Sequence, residues 1–144
     1  MKHRIKGKKL GRNTLQRTAL IKNQIRALFT YGSIKTTYPK AVALRPLAEK
    51  YCHIAIKANL TSRRALYQLL QDRHWVKRVE FSLLNSFPDY QQNFLRIVII
   101  GNRQGDDAKI AKVSFVKPVS FSKETDKSPT KDVKTKKPTK KKNE

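Results

Sequence analysis

Acidic side chains are missing from one end of this chain: none precedes Glu49 in a sequence of 144 residues. Cysteine occurs once, at Cys52, which excludes an internal disulfide and a multi-cysteine zinc site. Such sparing use of cysteine fits a reducing compartment such as the cytoplasm. No run of about 18 apolar residues exists, so no segment is expected to cross a bilayer as a helix. The basic beginning is not followed by a continuous apolar stretch, and Arg and Lys recur in the helix predicted next, so a secretory signal is not expected. The three histidines, His3, His53 and His74, are scattered. They form no constellation with an acid or a nucleophile of the kind that acid–base or covalent catalysis needs. Cys52 reads as a small buried or half-buried side chain, because an activated thiol needs an orienting base beside it. Asp106 and Asp107 are adjacent, whereas a calcium loop spaces its carboxylates over several positions, so the pair reads as turn-forming. "GNRQG" (101–105) has two glycines but lacks the Lys-Ser/Thr that completes a phosphate loop. Together these absences argue against an enzyme, a resident metal or cofactor, and a small-molecule substrate.

What the chain has in abundance is positive charge. It carries 33 lysines and arginines against 10 acids, for a formal net charge of +23. Charge of that size opposes compaction unless a polyanion neutralises it. Residues 1–50 hold 13 cationic side chains against the single Glu49, and the Lys-rich stretch 117–144 holds ten against four acids. The middle of the chain is more balanced, and the apolar residues concentrate between about positions 15 and 121.

The opening "MKHRIKGKKLGR" has too few aliphatic residues for a core of its own and reads as a basic arm over residues 1–12. Asn13 then offers a helix cap, with Gln16 three residues on as in a capping box. Ile21, Ile25, Leu28 and Phe29 fall on one face of the helix that follows, and Gly32 supplies a left-handed stop. "SIKTTY" (33–38) alternates and is rich in β-branched residues, which predicts a short strand. Pro39 suits the first turn of the next helix, but Pro46 lacks an N–H and predicts a kink or a handover to a second helix near Arg45. Helices are predicted over 61–72, from a Thr/Ser cap, and over 74–87, hinged near Arg73. Strands are predicted over 94–100 and 109–116, paired across a Gly-bounded loop. After Val119 the composition is low in complexity and cannot offset the entropy of ordering, which predicts a disordered tail over 119–144.

The expected fold is α+β. It is a two-layer α/β domain over residues 13–118 in the order α-β-α-α-α-β-β, with a three-stranded mixed sheet covered by helices. Against that frame the cations sort themselves. The arm combines point charges from lysine with planar arginine contacts to phosphate. Arg63 and Arg64 sit in a first helical turn, where the helix dipole disfavours cations, so an outside anion accounts for them. Lys35 points to solvent or a nucleic acid from the first strand, while Thr36 and Thr37 serve as caps or contacts. Arg96 emerges on the uncovered sheet face, and Arg103 tips the hairpin loop.

The stretches "MKHR", "GRNTLQRTALIKNQIRALF", "IKTTYPKAVALRPLAEKYCHIAIK", "TSRRAL", "LLNSF" and "RIVIIGNRQGDDAKIAKVSFV" resemble the bacterial large-subunit ribosomal protein seventeen family over roughly residues 1–118. "IKTT" before a Pro-Lys-Ala helix start, together with the Asn-initiated basic helix, makes the resemblance specific. It implies a structural constituent of the large ribosomal subunit, cytoplasmic and in the ribosome, that binds and stabilises large-subunit ribosomal RNA beside neighbouring ribosomal proteins. It implies RNA contacts from the arm at Lys2, His3, Arg4, Lys6, Lys8, Lys9, Arg12 and Asn13. It extends them to the next helix and strand through Arg17, Lys22, Lys35, Thr36, Thr37 and Lys40. It also assigns RNA to the paired Arg63 and Arg64, beside Arg96 and Arg103 from the residues alone. The sequence departs from the family at "YQQNFLRI" (90–97), where the family has a glycine pair, an aromatic, Thr and Arg-Ile; Phe94 takes the aromatic place. The alternative is a nucleoid-type or regulatory DNA-binding protein, for which Asn23, Gln24 and Arg26 on the first helix would be the base-reading side chains.

Overall fold

Helix caps and apolar stripes place every element of this chain. In the computed structural model, which describes residues 8–88, 92–119 and 121, Asn13 caps the first helix, α1 (Thr14–Tyr31). Its side-chain oxygen accepts from the Gln16 backbone N–H at 2.8 Å. Gly32 ends α1 in the left-handed region at φ 71°, donating its N–H to the Leu28 carbonyl at 2.9 Å. The buried face of α1 is the predicted one: Ile21, Ile25, Leu28 and Phe29.

Strand β1 (Ser33–Thr37) leads directly into α2 (Tyr38–Lys57), whose first turn contains Pro39. The handover predicted at Pro46 does not occur, and α2 is one 20-residue helix. Pro46 is exposed, so its ring lies on the solvent side of the helix. The buried row Ala41, Leu44, Ala48, Cys52 and Ala55 carries the helix past it. Helix α3 (Leu60–Leu70) begins earlier than predicted, because Asn59 rather than Thr61 or Ser62 is its cap. The Asn59 side chain accepts from the Ser62 N–H at 2.7 Å, and Ser62 itself is buried. Gln71 turns left-handed, Asp72 caps the next helix through the His74 N–H at 2.8 Å, and α4 (Arg73–Ser86) follows.

The last elements are β2 (Leu95–Asn102) and β3 (Lys109–Phe115), each within two residues of its predicted bounds. The strand order is β1-β3-β2, and both pairings are antiparallel. The sheet is therefore antiparallel throughout and not mixed. The helical crossover does set β1 and β2 in the same direction, but β3 lies between them and pairs with both, so no parallel ladder forms.

One sheet face receives the helices. Leu95, Ala111, Val113 and Phe115 point into it and are buried. The centre of the core is aromatic: Phe87 and Phe94 meet edge-on at 5.4 Å, and Phe29 stacks on Phe115 at 6.2 Å. Packing continues past the 118 boundary drawn from the sequence. Phe121 is 8% exposed and its ring lies 5.6 Å from that of Phe115 and 6.2 Å from that of Phe29. The arm residues 1–7 and the tail residues 122–144 lie outside the described residues. No helix among the described residues is long and apolar enough to cross a membrane.

Candidate nucleic-acid interface

The sheet leaves its second face without helices, and three cations stand on it beside the exposed Val98. Alternation along β1 and β3 turns Ile34 and Val113 inward and Lys35 and Lys112 outward. The register makes Lys35 and Lys112 direct partners across the β1–β3 pair. Cross-strand partners stand about 5 Å apart at their Cβ atoms, and like charges placed so are destabilising. On the same face Arg96 of β2 is the partner of Ser114, and Val98 is the partner of Lys112. All three cations are exposed, and none of the three strands contains an acid. Lys35 and Arg96 were predicted from the sequence to face outward; Lys112 was not among the predicted residues, and alternation in "KIAKVSF" was the signal that could have found it.

Thr36 belongs elsewhere. Its hydroxyl accepts from Gln24 Nε2 at 3.0 Å, in a half-buried bond that ties β1 to α1. Thr37 occupies the cap position of α2, yet its side chain makes no capping hydrogen bond. Lys40 lies half-buried in the first turn of α2, and Lys22 is exposed on α1. Arg17, half-buried, lines a groove between α1 and α2 beside Lys22, Leu47 and Tyr51.

The root of the arm is a tight turn. Leu10 and Gly11 take positive φ values of 55° and 63°, and the Arg12 N–H donates to the Lys9 carbonyl at 3.2 Å. Arg12 also reaches back with its guanidinium to the Leu10 carbonyl at 2.9 Å. Lys8, Lys9 and Arg12 are exposed. Asn13 has its carboxamide oxygen committed to the helix start. Lys2, His3, Arg4 and Lys6 lie outside the described residues.

Two of the predicted cations pair with acids of the chain. Arg63 grips the Glu80 carboxylate with two nitrogens, Nε to Oε2 and Nη2 to Oε1, each at 2.9 Å. Glu80 is only 5% exposed, so Arg63 is its counterion. The anion inferred from the helix dipole is therefore internal for Arg63. The neighbouring Arg64 is exposed and has no ion pair among the described residues. Arg103 holds Asp106 across the hairpin loop at 2.6 Å. Hydrogen bonds from Arg103 hold the Asp106 carboxyl down to about 2. Cys52 is buried, and burial together with nearby Glu49 pushes its thiol up, away from reactivity.

The helix face that would read bases in a DNA groove is also spent. Gln24 is bonded to Thr36, and Arg26 donates from Nε to the Leu69 carbonyl at 2.6 Å, closing the end of α3. That leaves Asn23 alone of the three. At the family departure, Asn93 holds a left-handed conformation at φ 62°, a geometry that asparagine tolerates better than most residues. Phe94 behind it is fully buried against Phe87 and the His53 ring.

A model of the family "Ribosomal protein L17" matches residues 20–116. Large ribosomal subunit protein bL17 of Dictyoglomus turgidum is 38% identical over 116 residues, covering 81% of this chain and 100% of that protein. The protein of the same name from Nitratidesulfovibrio vulgaris (strain Miyazaki F) is 40% identical over 116 residues, covering 80% of this chain and 87% of its own length. That of Syntrophus aciditrophicus is 33% identical over 120 residues, covering 83% and 96%.

Proposed function

This chain belongs to the ribosomal protein L17 family, and we propose that it binds and stabilises large-subunit ribosomal RNA through three basic surfaces. It is a structural protein of the large ribosomal subunit and not an enzyme. The three surfaces are the N-terminal arm, the basic start of α1, and the open sheet face with Lys35, Arg96 and Lys112. The observation that carries the proposal is the directly opposed pair Lys35 and Lys112 on a face without acids. Repulsion between them is relieved when phosphates settle on that face, so RNA binding and local stability reinforce each other.

The division of labour follows from chain geometry. The folded sheet offers a platform, whereas the arm is rooted at the Lys9–Arg12 turn and the Asn13 cap. Spread-out phosphate contacts suit an irregularly folded RNA better than a groove-reading helix. If arm and domain together meet about ten phosphates, affinity of the isolated protein falls by roughly 10³–10⁵ between 50 and 200 mM salt, on the duplex-DNA rule. The subunit sits in the ribosome of the cytoplasm in this reading, beside other large-subunit proteins.

Sedimentation of a cell lysate in moderate salt tests it. The expected result is stable co-migration with large subunits; a pool bound to chromosomal DNA instead would overturn it. Deleting residues 2–9 is expected to leave the domain folded but impair incorporation into subunits, whereas deleting 122–144 has little effect. Normal incorporation without residues 2–9 removes the arm from the mechanism.

A further inference from the structure

The side chains of the open sheet face select a form of RNA, an inference that rests on the RNA-binding reading above and sharpens it. Two rows of residues cross the three strands on that face. One runs Ser33–Ser114–Arg96, and the other runs Lys35–Lys112–Val98. Strand spacing and rise place the Cα atoms of the three cations within about 12 Å of one another. No acid stands among them, since none of the three strands contains one.

What this face lacks is a place for bases. Unpaired RNA is held chiefly by stacking its splayed bases on aromatic rings and by reading their edges. The three strands contain one aromatic residue, Phe115, and it is buried on the helix-covered side. Val98 is exposed, but its branched side chain has no flat surface for a base. The one carboxamide of the strands, on Asn102, donates to Asp107 at 2.7 Å. Arg96 is then the only planar group on the face, and one such group cannot seat a run of bases. A single strand laid across the sheet would leave its bases facing water.

A double helix turns its bases inward and presents phosphates and riboses, which is what this face can meet. A duplex also carries about twice the charge of a single strand along its axis, roughly one per 1.7 Å against one per 3.4 Å in DNA. That density suits three cations crowded together without an acid. Ser33 and Ser114, direct partners in the neighbouring row, add hydroxyls that both donate and accept. The same is true of the ribose 2′-hydroxyls that line the wide, shallow minor groove of an RNA helix. We infer that the open sheet face docks on a double-helical stretch of RNA through phosphates and ribose hydroxyls, without reading base sequence.

The test uses the full-length protein and two fluorescent probes: an RNA hairpin with a stem of about 16 base pairs, and an unstructured RNA of the same nucleotide count. Anisotropy titrations are run near physiological salt. Lys35→Gln, Arg96→Gln and Lys112→Gln combined are expected to weaken hairpin binding on the order of tenfold and single-strand binding by less than about twofold. Lys8→Gln, Lys9→Gln and Arg12→Gln combined remove the same charge from the root of the arm and are expected to weaken both probes by one common factor. Ser33→Ala with Ser114→Ala is expected to narrow the preference for the RNA stem over a DNA stem of the same sequence, because only the RNA offers 2′-hydroxyls. Scrambling the stem sequence with pairing kept leaves the affinity unchanged. Melting curves check that each variant is folded. If the sheet variant weakens both RNA probes alike, the sheet touches RNA but the duplex assignment is overturned. If it weakens neither, the sheet leaves the RNA interface altogether. A strong dependence on stem sequence overturns the backbone-only contact.

Discussion

On the α3–α4 hairpin, Arg63 lies against the buried carboxylate of Glu80; on the open sheet face, Lys35 stands across from Lys112. Both cations are exposed, and both belong to a chain with a large positive excess. The first closes an internal charge balance, because a carboxylate as buried as Glu80 is costly to leave without a hydrogen-bonded partner. The second adds to a repulsion that nothing in the described fold relieves. The contrast teaches that positive charge on a protein surface is not the same as positive charge available to a partner. Cations without an internal acid keep a repulsion that the described fold does not offset.

The contrast predicts opposite behaviour of the two kinds of residue. The largest effect is expected on RNA binding from the sheet face. Neutralising Lys35, Arg96 and Lys112 together to Gln should weaken binding of the isolated protein to a ribosomal RNA fragment on the order of tenfold or more. The slope of log affinity against log salt should become shallower by about 2 to 3. Filter binding across a salt series measures both, and an unchanged slope would remove the sheet from the interface. Glu80→Ala comes next and acts on stability. It removes the acid that holds Arg63, so the melting temperature should fall by more than for any single sheet substitution, with RNA affinity little changed once the protein is folded. If Arg63→Gln weakens RNA binding as much as Lys35→Gln does, the distinction between spent and available cations fails.

A smaller effect sharpens the same point from the other side. Lys112→Thr removes one member of the opposed pair and should raise the stability of the free protein by a few tenths of a kcal/mol while weakening RNA binding. Thermal unfolding at low salt, where repulsion is least screened, is the condition in which to measure it. The smallest expected effect belongs to Arg103 and Asp106, an exposed pair that pins the β2–β3 loop. The Asp106 carboxyl is lowered from its ordinary 3.8 to about 2 by hydrogen bonds from Arg103. A depressed carboxyl contributes above its unfolded value and loses that contribution as pH falls through its folded one. The loop should therefore be fully pinned above about pH 4 and loosen toward pH 2, and Asp106→Asn should abolish that dependence. Carboxyl NMR titration of Asp106 reads it directly, and a midpoint near 4 would contradict the pairing.

Much of this was legible because it depends on local rules. Asn13 and Gly32 bound α1 through caps that involve residues three or four positions away, and the hairpin strands announce themselves by alternation. Less was legible where a neighbour far along the chain decides. Pro46 looked like a break, but its solvent-facing position and the buried row beside it keep α2 continuous. Arg63 looked free until Glu80, 17 residues later, was brought against it. Thr36 looked available until Gln24 was found bonded to it from α1. Phe121, beyond the boundary at 118, is buried against the Phe29–Phe115 pair, which exists only after folding.

By itself the sequence determined the positions of most helices and strands within a few residues, and the family. These depend on composition and short-range periodicity, which any stretch of chain displays before it folds. Tertiary structure alone decided which of the described cations are paired with an acid of the chain. That choice depends on strand order, on β3 inserting between β1 and β2 to set Lys35 against Lys112, and on the α3–α4 pairing that sets Arg63 against Glu80. Coulomb forces act through space rather than along the chain, so the charge balance of each surface is written only when distant residues meet.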